Sequence, residues 1–462
     1  MWTPVFFRRL LGMAFVLGLF SGLIAVTATA IGENDPSYVL QDAGVPRQPG
    51  KVTFGVISDT HIGPDGQSER LNAVISWYNK RGVDALAIVG DLTDNGTQEQ
   101  YDELKTCFDT IDDKIKLVAS MGNHEGDTAD RFIGMYGHRP NVHQVINGYH
   151  FITLSPGSGA FDPETGKGTT HGGDKYGYVA QWTEAQIQEA IAKDPAKPVF
   201  VFFHHPLQNT FYVSDEWYGS GLGDAAMTFF SKYPQVVTFS GHIHTPNNDP
   251  RSIWQDGGFT AVNTVTLYYY EMEKGYIGNQ PHFNDVSTYP VPGGGAAQGL
   301  VVEAEGPVVS ITNYDFKADQ WVKQTWTFDV TKPLPYTKAR AERAIAPVFR
   351  EGAPIVLSAL TPDSLTVTFD QAIIPGDNEV QDAIHSYRFE LYNAETGACI
   401  AASKQWSDYM HTVTRPTYSQ TIDGLGADIA YELRIVAITS FGKISDDSLR
   451  VFFKLGIGAA EP

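Results

Sequence analysis

The chain has 462 residues, more than a single hydrophobic core usually serves, so at least two folded domains are expected. Hydrophobic residues make up 42% of the sequence and charged residues 19%, a balance typical of globular proteins. The formal net charge is -20, which repels the phosphate backbone at long range, so no nucleic-acid partner is expected. The sequence pattern does not indicate an oligomeric state.

The first 30 residues have the pattern of a signal peptide. Arg8 and Arg9 precede an uncharged apolar run from Leu10 to Val26, and Ala28-Thr29-Ala30 offers a small-residue cleavage site. An uncleaved membrane anchor is the alternative, because the run approaches the ~20 residues that span a bilayer. Contact with a membrane is expected only in that case. Either way the rest of the chain is expected to be exported: secreted, periplasmic or at the cell surface.

Between residue 52 and about residue 239, short apolar runs alternate with helical patterns. The runs, interpreted as strands, are Val52–Ser58, Ala85–Val89, Leu117–Met121, Phe151–Leu154, Val199–Phe203 and Val236–Phe239. One helix is predicted after the candidate N-cap Thr97, where apolar residues recur at helical spacing, and another over Thr183–Ala192. This alternation predicts an α/β architecture with helices packed on sheets.

Beyond this region the pattern changes to strands. Gly299–Glu303, Val308–Asp315 and Lys323–Phe328 are expected to complete a sheet of the first domain, which then covers 51–331. Residues 332–353 have the composition of a linker, with a short helix predicted around Ala339–Ile345. From 354 to 456 apolar and polar residues alternate, which predicts an all-β sandwich as the C-terminal domain.

The C-terminal sandwich resembles the fibronectin type III fold. Leu425 stands six residues before Tyr431, which opens an alternating strand, and this spacing resembles the tyrosine corner of such domains. Ala427 departs from the family pattern, which usually has Pro there. The domain has no clustered titratable motif, so structural support is its expected role.

Five short polar motifs follow apolar runs in the first domain. They are Asp59-Thr60-His61, Gly90-Asp91-Leu92-Thr93-Asp94, Gly122-Asn123-His124-Glu125, His204-His205-Pro206 and Gly241-His242-Ile243-His244. Strand-end loops of open α/β sheets collect ligands. A single histidine is usually structural, but six of the chain's 13 histidines lie in these motifs beside Asp and Asn. The pattern therefore indicates a metal site.

Taken in order, the five motifs resemble the calcineurin-like metallophosphoesterase superfamily, over roughly residues 52 to 245 with a tail to about 328. The resemblance implies two β-sheets sandwiched between helices. It also implies a hydrolase of phosphate esters, in which water activated between two metal ions attacks phosphorus. With the N-terminal pattern, the expected function is that of an exported hydrolase. The expected substrate is a small-molecule or exposed phosphoester, either a monoester or a diester.

The resemblance implies which side chain meets which ion. Asp59, His61 and His244 hold the first ion, Asn123, His204 and His242 hold the second, and Asp91 bridges them. His205 is the alternative to His204. Imidazole nitrogens and carboxylate oxygens suit Zn, Mn, Fe or Co better than Mg or Ca. Two divalent transition-metal ions are therefore the expected cofactors.

His124 is left without a metal to bind, and the resemblance places it opposite the leaving oxygen as a general acid or charge stabiliser. Asp94 is expected to orient and charge His124, with a loop-capping carboxylate as the alternative. Purple acid phosphatases have Tyr in place of Asp94, and the calcineurin-type protein phosphatases have Arg-Gly in place of Asn95-Gly96. Neither tyrosinate–iron chemistry nor phosphoprotein specificity is therefore expected.

Two alternative functions are a binding or adhesion protein with a vestigial metallophosphoesterase fold and a 5'-nucleotidase-like enzyme. The complete set of predicted ligands disfavours the first. The second needs a larger, nucleotide-gripping C-terminal domain. Aromatic residues are dense in Phe211–Tyr218 and Leu267–Tyr276, soon after two of the motifs. Packing is their expected role, and stacking on the organic part of a substrate is the alternative.

Overall fold

The computed structural model describes residues 50–125, 129–137, 140–156, 179–216, 223–273 and 295–456. The N-terminal segment predicted to direct export lies outside these ranges. Among the helices within them, none is long and apolar enough to cross a bilayer.

Two sheets form the first domain. Its described strands are β1 (Lys51–Ile57), β2 (Ala85–Val89), β3 (Lys116–Ser120), β4 (Val142–Ile146), β5 (Tyr149–Leu154), β6 (Val199–Phe203), β7 (Val236–Ser240), β8 (Ile253–Trp254), β9 (Thr260–Asn263), β10 (Gln298–Glu305), β11 (Val308–Asp315) and β12 (Gln320–Asp329). The sheet orders are β12-β11-β10-β1-β2-β3 and β4-β5-β6-β7-β9-β8. Strands β1 to β3 run parallel, as do β5, β6, β7 and β9.

Helices flank these sheets. They are α1 (Gln67–Arg81), α2 (Gln98–Phe108), α3 (Asp130–Tyr136), α4 (Val179–Lys193) and α5 (Gly223–Phe230). In α1 the buried residues Leu71, Val74 and Tyr78 recur at helical spacing, so one face packs on the sheet. The predicted N-cap of α2 is present, because the Thr97 side chain accepts from the amide of Gln100.

Aromatic rings fill the space between the two sheets. Phe54 of β1 contacts Phe151 and Phe200 of the second sheet, with ring centroids 5.0 and 4.8 Å apart. Both sheets are covered by helices on their outer faces, which is why β2, β6 and β7 are buried along their whole length. The predicted fold of two sheets between helices is confirmed. Strands β10 to β12 extend the first sheet through antiparallel pairing with β1, as expected.

The C-terminal domain is an all-β unit of two antiparallel sheets. After a short linker helix, α6 (Arg340–Arg343), its strands are β13 (Ile355–Ser358), β14 (Leu365–Asp370), β15 (Ile384–Asn393), β16 (Cys399–Trp406), β17 (Thr417–Ile422), β18 (Ala430–Thr439) and β19 (Leu449–Lys454). The sheets have the orders β13-β14-β17 and β16-β15-β18-β19. The Tyr431 hydroxyl accepts from the amide of Gly426 at 2.7 Å, a bond that a tyrosine corner makes. Membership of the fibronectin type III family stays a prediction.

Candidate metal centre

The predicted metal ligands lie at the carboxyl ends of parallel strands from both sheets. The motif residues Asp59 and His61 follow β1, Asp91 follows β2, Asn123 and His124 follow β3, His204 follows β6, and His242 and His244 follow β7. Parallel strands end at the same edge of a sheet, and the two sheets face each other, so the five motifs meet at one end of the domain.

Three groups of side chains place their ligand atoms within 4.8 Å of one another. The groups are Asp59 with His61 and His244, Asp91 with His204 and His242, and His61 with Asp94 and His124. The first two match the division into two metal positions that the sequence predicts. Asp91 lies near both, since its Oδ2 is 3.0 Å from Nε2 of His204 and 3.8 Å from Nε2 of His61.

The backbone at these strand ends is strained. Positive φ angles between 42° and 69° occur at Asp59, His61, Asp91, His242 and His244. Residues other than Gly rarely adopt this left-handed conformation. A residue held in a sparsely populated φ/ψ region costs of order 1–3 kcal/mol. The turns at the strand ends bring these side chains together, and the surrounding fold must stabilise that geometry.

Two glycines allow the loops to approach this closely. A Cβ on Gly122 would lie 2.1 Å from Oδ1 of Asp91, and a Cβ on Gly241 would lie 2.4 Å from Oδ2 of Asp59. Real Cβ atoms do not approach other atoms at such distances. The glycines of the third and fifth motifs are therefore required by contact with the two carboxylates.

Backbone carbonyls fix the orientation of the histidine rings. The Nδ1 atom of His204 lies 3.0 Å from the carbonyl of Val89, and that of His244 lies 3.0 Å from the carbonyl of Tyr269. A carbonyl only accepts hydrogen bonds, so Nδ1 carries the proton in each ring. Nε2 is then directed at a carboxylate, 3.0 Å from Asp91 for His204 and 3.0 Å from Asp59 for His244. This arrangement presents a lone pair to a metal when the ring is neutral.

The two carboxylates create a strongly negative, buried field. Burial would raise the pKa of Asp59 and Asp91, but neighbouring histidines outweigh it and lower both, that of Asp91 well below its usual value. Burial likewise lowers the pKa of His204, yet Asp91 and Asp59 raise it to about 9. In the described residues the ion-pair partners of both carboxylates are histidines alone. Buried charges need partners, so the site favours cations.

The donor atoms fit divalent transition-metal ions. Both ring nitrogens of His61 and Nε2 of His204 are buried and make no hydrogen bond within the described part of the chain. Burial and His244 lower the pKa of His61 to about 4, so its ring is neutral and can donate a lone pair. Mixed imidazole nitrogens and carboxylate oxygens are ligands that Zn, Mn, Fe and Co accept.

The region that contains this site matches a known protein family. Residues 52–246 match the model described as calcineurin-like phosphoesterase. The chain carries a calcineurin-like phosphoesterase domain.

Similar proteins include phosphodiesterases and a phosphatase. A 3',5'-cyclic-nucleotide phosphodiesterase of Nostoc sp. is 27% identical over 211 residues, 42% of this chain and 71% of that protein. A probable cyclic nucleotide phosphodiesterase of Rhodococcus erythropolis is 34% identical over 166 residues, 32% of this chain and 50% of that protein. Among solved structures, a dimetal phosphatase from Danio rerio matches 61% of this chain and 100% of its own, with 11% identity and a TM-score of 0.41.

Two predicted ligands, Asn123 and His204, need separate treatment, because the first is outside the three groups and the second has an adjacent histidine as an alternative. Asn123 is exposed, and its neighbour His124 donates its amide to Oδ1 of Asp91 at 2.9 Å. The role of Asn123 as a ligand stays a prediction. Of the adjacent histidines, His204 joins the group with Asp91. The His205 ring lies 4.5 Å from that of His242, tilted by 51°, and His205 is absent from the group. The geometry favours His204 as the ligand.

The predicted link between Asp94 and His124 uses another atom. Nδ1 of His124 lies 2.6 Å from the backbone carbonyl of Asp94. The carboxylate of Asp94 accepts from Nδ2 of Asn95 at 2.8 Å and lies 3.4 Å from Nδ1 of His61. The residue is therefore where the sequence predicts it, but its backbone holds the His124 ring.

Glu125 connects two loops of the phosphoesterase domain, a role that the sequence interpretation missed. Its Oε1 accepts from the amide and hydroxyl of Thr93 at 2.9 and 3.0 Å, and its Oε2 accepts from the amide of Gly122 at 2.5 Å. Burial and Asp91 raise its pKa to about 7. The position of Glu125 beside His124 in the third motif was the available signal.

The two aromatic stretches divide between packing and the metal centre. The Tyr268 ring lies 5.1 Å from that of His61, and the Tyr269 ring 4.6 Å from that of His244. Tyr212 instead contacts the C-terminal domain, with its hydroxyl 3.0 Å from that of Tyr409. Residues 217–218 and 274–276 of the two stretches lie outside the described ranges.

Proposed function

We propose that the phosphoesterase domain hydrolyses phosphodiesters at a two-metal centre, with His124 assisting the leaving group. The observation that carries this proposal is the pair of three-residue groups on either side of Asp91. Two divalent ions held there would polarise the phosphoryl oxygens and lower the pKa of water. Asp59 and Asp91 are the only anionic residues in the proposed ligand set. The loaded centre is then positive and attracts an anionic ester, although the chain carries a net charge of -20.

His124 supplies the proton in this proposal. Its Nδ1 donates to the Asp94 carbonyl, and its Nε2 faces Oδ2 of Asp91 at 3.9 Å. The side chain is 38% exposed, so a substrate can reach it. The imidazolium form carries a proton on Nε2 and can transfer it to a departing oxygen.

The preference for diesters draws on the relatives. The Nostoc protein is a cyclic-nucleotide phosphodiesterase and the Rhodococcus protein a probable one. A probable glycerophosphodiester phosphodiesterase of Arcobacter nitrofigilis is 24% identical over 204 residues. A binding protein with a vestigial site is disfavoured, because such a role does not need the strained loops that bring the motifs together. Export is part of the proposal and rests on the pattern of the first 30 residues; N-terminal sequencing of the protein from cell fractions tests it.

Activity with defined metals tests the proposal. Chelator-treated protein is reloaded with Mn or Zn and assayed on bis(4-nitrophenyl) phosphate and 4-nitrophenyl phosphate. We expect metal-dependent turnover, with kcat/KM for the diester at least about tenfold higher. Asp91→Ala, purified in parallel, measures contaminating activity. Turnover no greater than in that variant contradicts the hydrolase, and a higher kcat/KM for the monoester contradicts diester preference.

A further inference from the structure

The segment Leu267–Glu273, which we name the tyrosine segment, is bonded to two loops of the metal centre. The amide of Leu267 donates to the carbonyl of Asp59 at 3.3 Å, and the amide of Glu271 donates to the carbonyl of His244 at 3.2 Å. Any displacement of this segment therefore reaches the loops after β1 and β7.

One face of the tyrosine segment forms a wall of the metal centre. The rings of Tyr268 and Tyr269 lie beside those of His61 and His244, and both tyrosines are half-buried. The carbonyl of Tyr269 also accepts from Nδ1 of His244 at 3.0 Å. Ring faces at this position can stack on a planar group attached to a phosphate held at the metals.

The opposite face packs against the C-terminal sandwich. Tyr270 and Met272 belong to an apolar cluster with three residues at the end of β16 and just after it: Trp406, Tyr409 and Met410. The buried members are 3% to 5% exposed. The segment thus has two sides: Tyr268 and Tyr269 lie beside histidines of the metal centre, whereas Tyr270 and Met272 pack against the other domain.

A buried polar network closes the same contact. The Tyr212 hydroxyl lies 3.0 Å from that of Tyr409 and 2.9 Å from Nε2 of His385, and it also bonds to the carboxylate of Glu273. Nε2 of His385 lies 2.9 Å from Oε1 of Glu273. Both His385 and Tyr409 belong to the sandwich, so it holds the last residue of the tyrosine segment directly.

We propose that the C-terminal sandwich determines substrate specificity by positioning this wall, and that the preferred diester carries a planar aromatic or heterocyclic group beside its leaving group. The proposal rests on the proposed function and names its substrate class. Tyr409 and Met410 are positioning residues, because they act through Met272 and Glu273 and contact no proposed metal ligand in the described structure. The sandwich then has a role beyond structural support.

Two esters with the same leaving group test this. Bis(4-nitrophenyl) phosphate has an aromatic second group, and methyl 4-nitrophenyl phosphate has an aliphatic one. In the metal-loaded full chain, Tyr409→Phe and Met410→Ala should raise KM for the bis-aryl ester about 3- to 10-fold while kcat changes less than about twofold. KM for the methyl ester and the metal content should not change. Tyr268→Leu, which removes a wall ring, should reproduce the loss on the bis-aryl ester.

The matched control is Tyr431→Phe. It also removes a hydroxyl from a buried tyrosine of the sandwich, but its hydrogen bond to Gly426 lies within that domain. Equal effects of Tyr409→Phe and Tyr431→Phe, or equal losses on both esters, would overturn the positioning role. Tyr409→Phe decides the matter if Met410→Ala fails to fold. Wild-type protein that holds metal but cleaves neither ester would overturn the proposed function instead.

Discussion

The ring of His124 is held by the backbone carbonyl of Asp94, 2.6 Å from Nδ1, and not by the Asp94 carboxylate. A neutral carbonyl fixes the ring without adding a negative charge beside it. Nε2 is left facing the Asp91 carboxylate at 3.9 Å. The backbone of Asp94 therefore sets the orientation of the His124 ring, and the Asp94 carboxylate is not needed for it.

His124→Ala should slow hydrolysis while leaving the metal content nearly intact. General acid catalysis contributes about 10²–10⁴-fold, and we expect a loss in this range for an alkyl leaving group, whose alkoxide needs a proton. A nitrophenyl ester should lose far less, because its phenolate departs unaided. Steady-state rates on methyl 4-nitrophenyl phosphate and on dimethyl phosphate, beside metal analysis, measure the difference. Equal losses on both esters would leave His124 as a phosphate-binding charge, and lost metal would place it among the ligands.

Asp94→Asn should not reproduce this pattern, because the carbonyl that holds His124 remains. We expect the rates on both esters to stay within about threefold of the wild type, a change near 0.6 kcal/mol. The same two assays apply, with His124→Ala as the reference. A loss that depends on the leaving group would show that the carboxylate charges His124, as the sequence interpretation has it.

The sequence was sufficient to predict the fold class and the meeting of the five motifs, for a physical reason. Buried parallel strands are continuous apolar runs, and polar residues directly after them must lie at one sheet edge. The run Val199–Phe203 followed by His204 is an example. Strands β4, β8 and β9 were missed. Strand β4 is half exposed, β8 has two residues, and β9 has four residues with a polar residue at each end.

The sequence could not predict which atom of a residue makes a contact, or which residues far apart in the sequence contact each other in the fold. The motif that contains Asp94 predicts a role for the carboxylate, whereas it is the backbone carbonyl of Asp94 that bonds to His124. Tyr268 and Tyr270 are near neighbours of one type, yet one faces His61 and the other the sandwich. The second contact joins residues more than 130 positions apart, so no local pattern reports it.

Asp91→Ala should lose both metal ions, whereas Asp59→Ala should retain more. Asp91 lies near both groups of proposed ligands, while the closest imidazole to Asp59 is that of His244 at 3.0 Å. Elemental analysis of folded, chelator-free protein measures occupancy, and circular dichroism confirms the fold. We expect about two ions per wild-type chain and close to none in Asp91→Ala. Full occupancy in Asp91→Ala would contradict a bridging role.

Gly122→Ala should disrupt the metal centre without unfolding the domain. The added Cβ would lie 2.3 Å from the amide of Asp91 as well as against its carboxylate, so the loop after β2 or β3 must move. We expect metal affinity to fall about 10- to 100-fold, as when a ligand's support is removed. The matched control is Gly134→Ala in α3, where a Cβ meets nothing within 4 Å and the helix should gain about 0.4–1 kcal/mol. Metal titration of both variants measures the affinity. Unchanged affinity in Gly122→Ala would show that the loops can move to accommodate the Cβ without disturbing the metal centre.

Asp249→Asn should destabilise the protein in a pH-dependent way. The carboxylate is fully buried and accepts from Nε and Nη2 of Arg251 at 2.8 and 2.6 Å. Burial would raise its pKa, but Arg251 outweighs this and lowers the pKa below the usual 3.8. A carboxyl group whose pKa is lower in the folded state than in the unfolded state stabilises the fold above the unfolded pKa. That stabilisation is lost as the pH falls through the folded pKa.

Urea unfolding of chelator-treated protein measures the effect. At pH 7 the free energy of unfolding of Asp249→Asn should be about 2–3 kcal/mol lower than that of the wild type, a deficit below the full cost of breaking a buried pair because Arg251 is partly exposed. The deficit should persist at pH 5 and shrink below pH 3.8. The exposed carboxylate of Asp256 provides the control, since Asp256→Asn should change stability by less than about 0.5 kcal/mol. A deficit that is the same at pH 7 and in acid would mean that Asp249 stabilises the fold through shape and neutral hydrogen bonds, not through its charge.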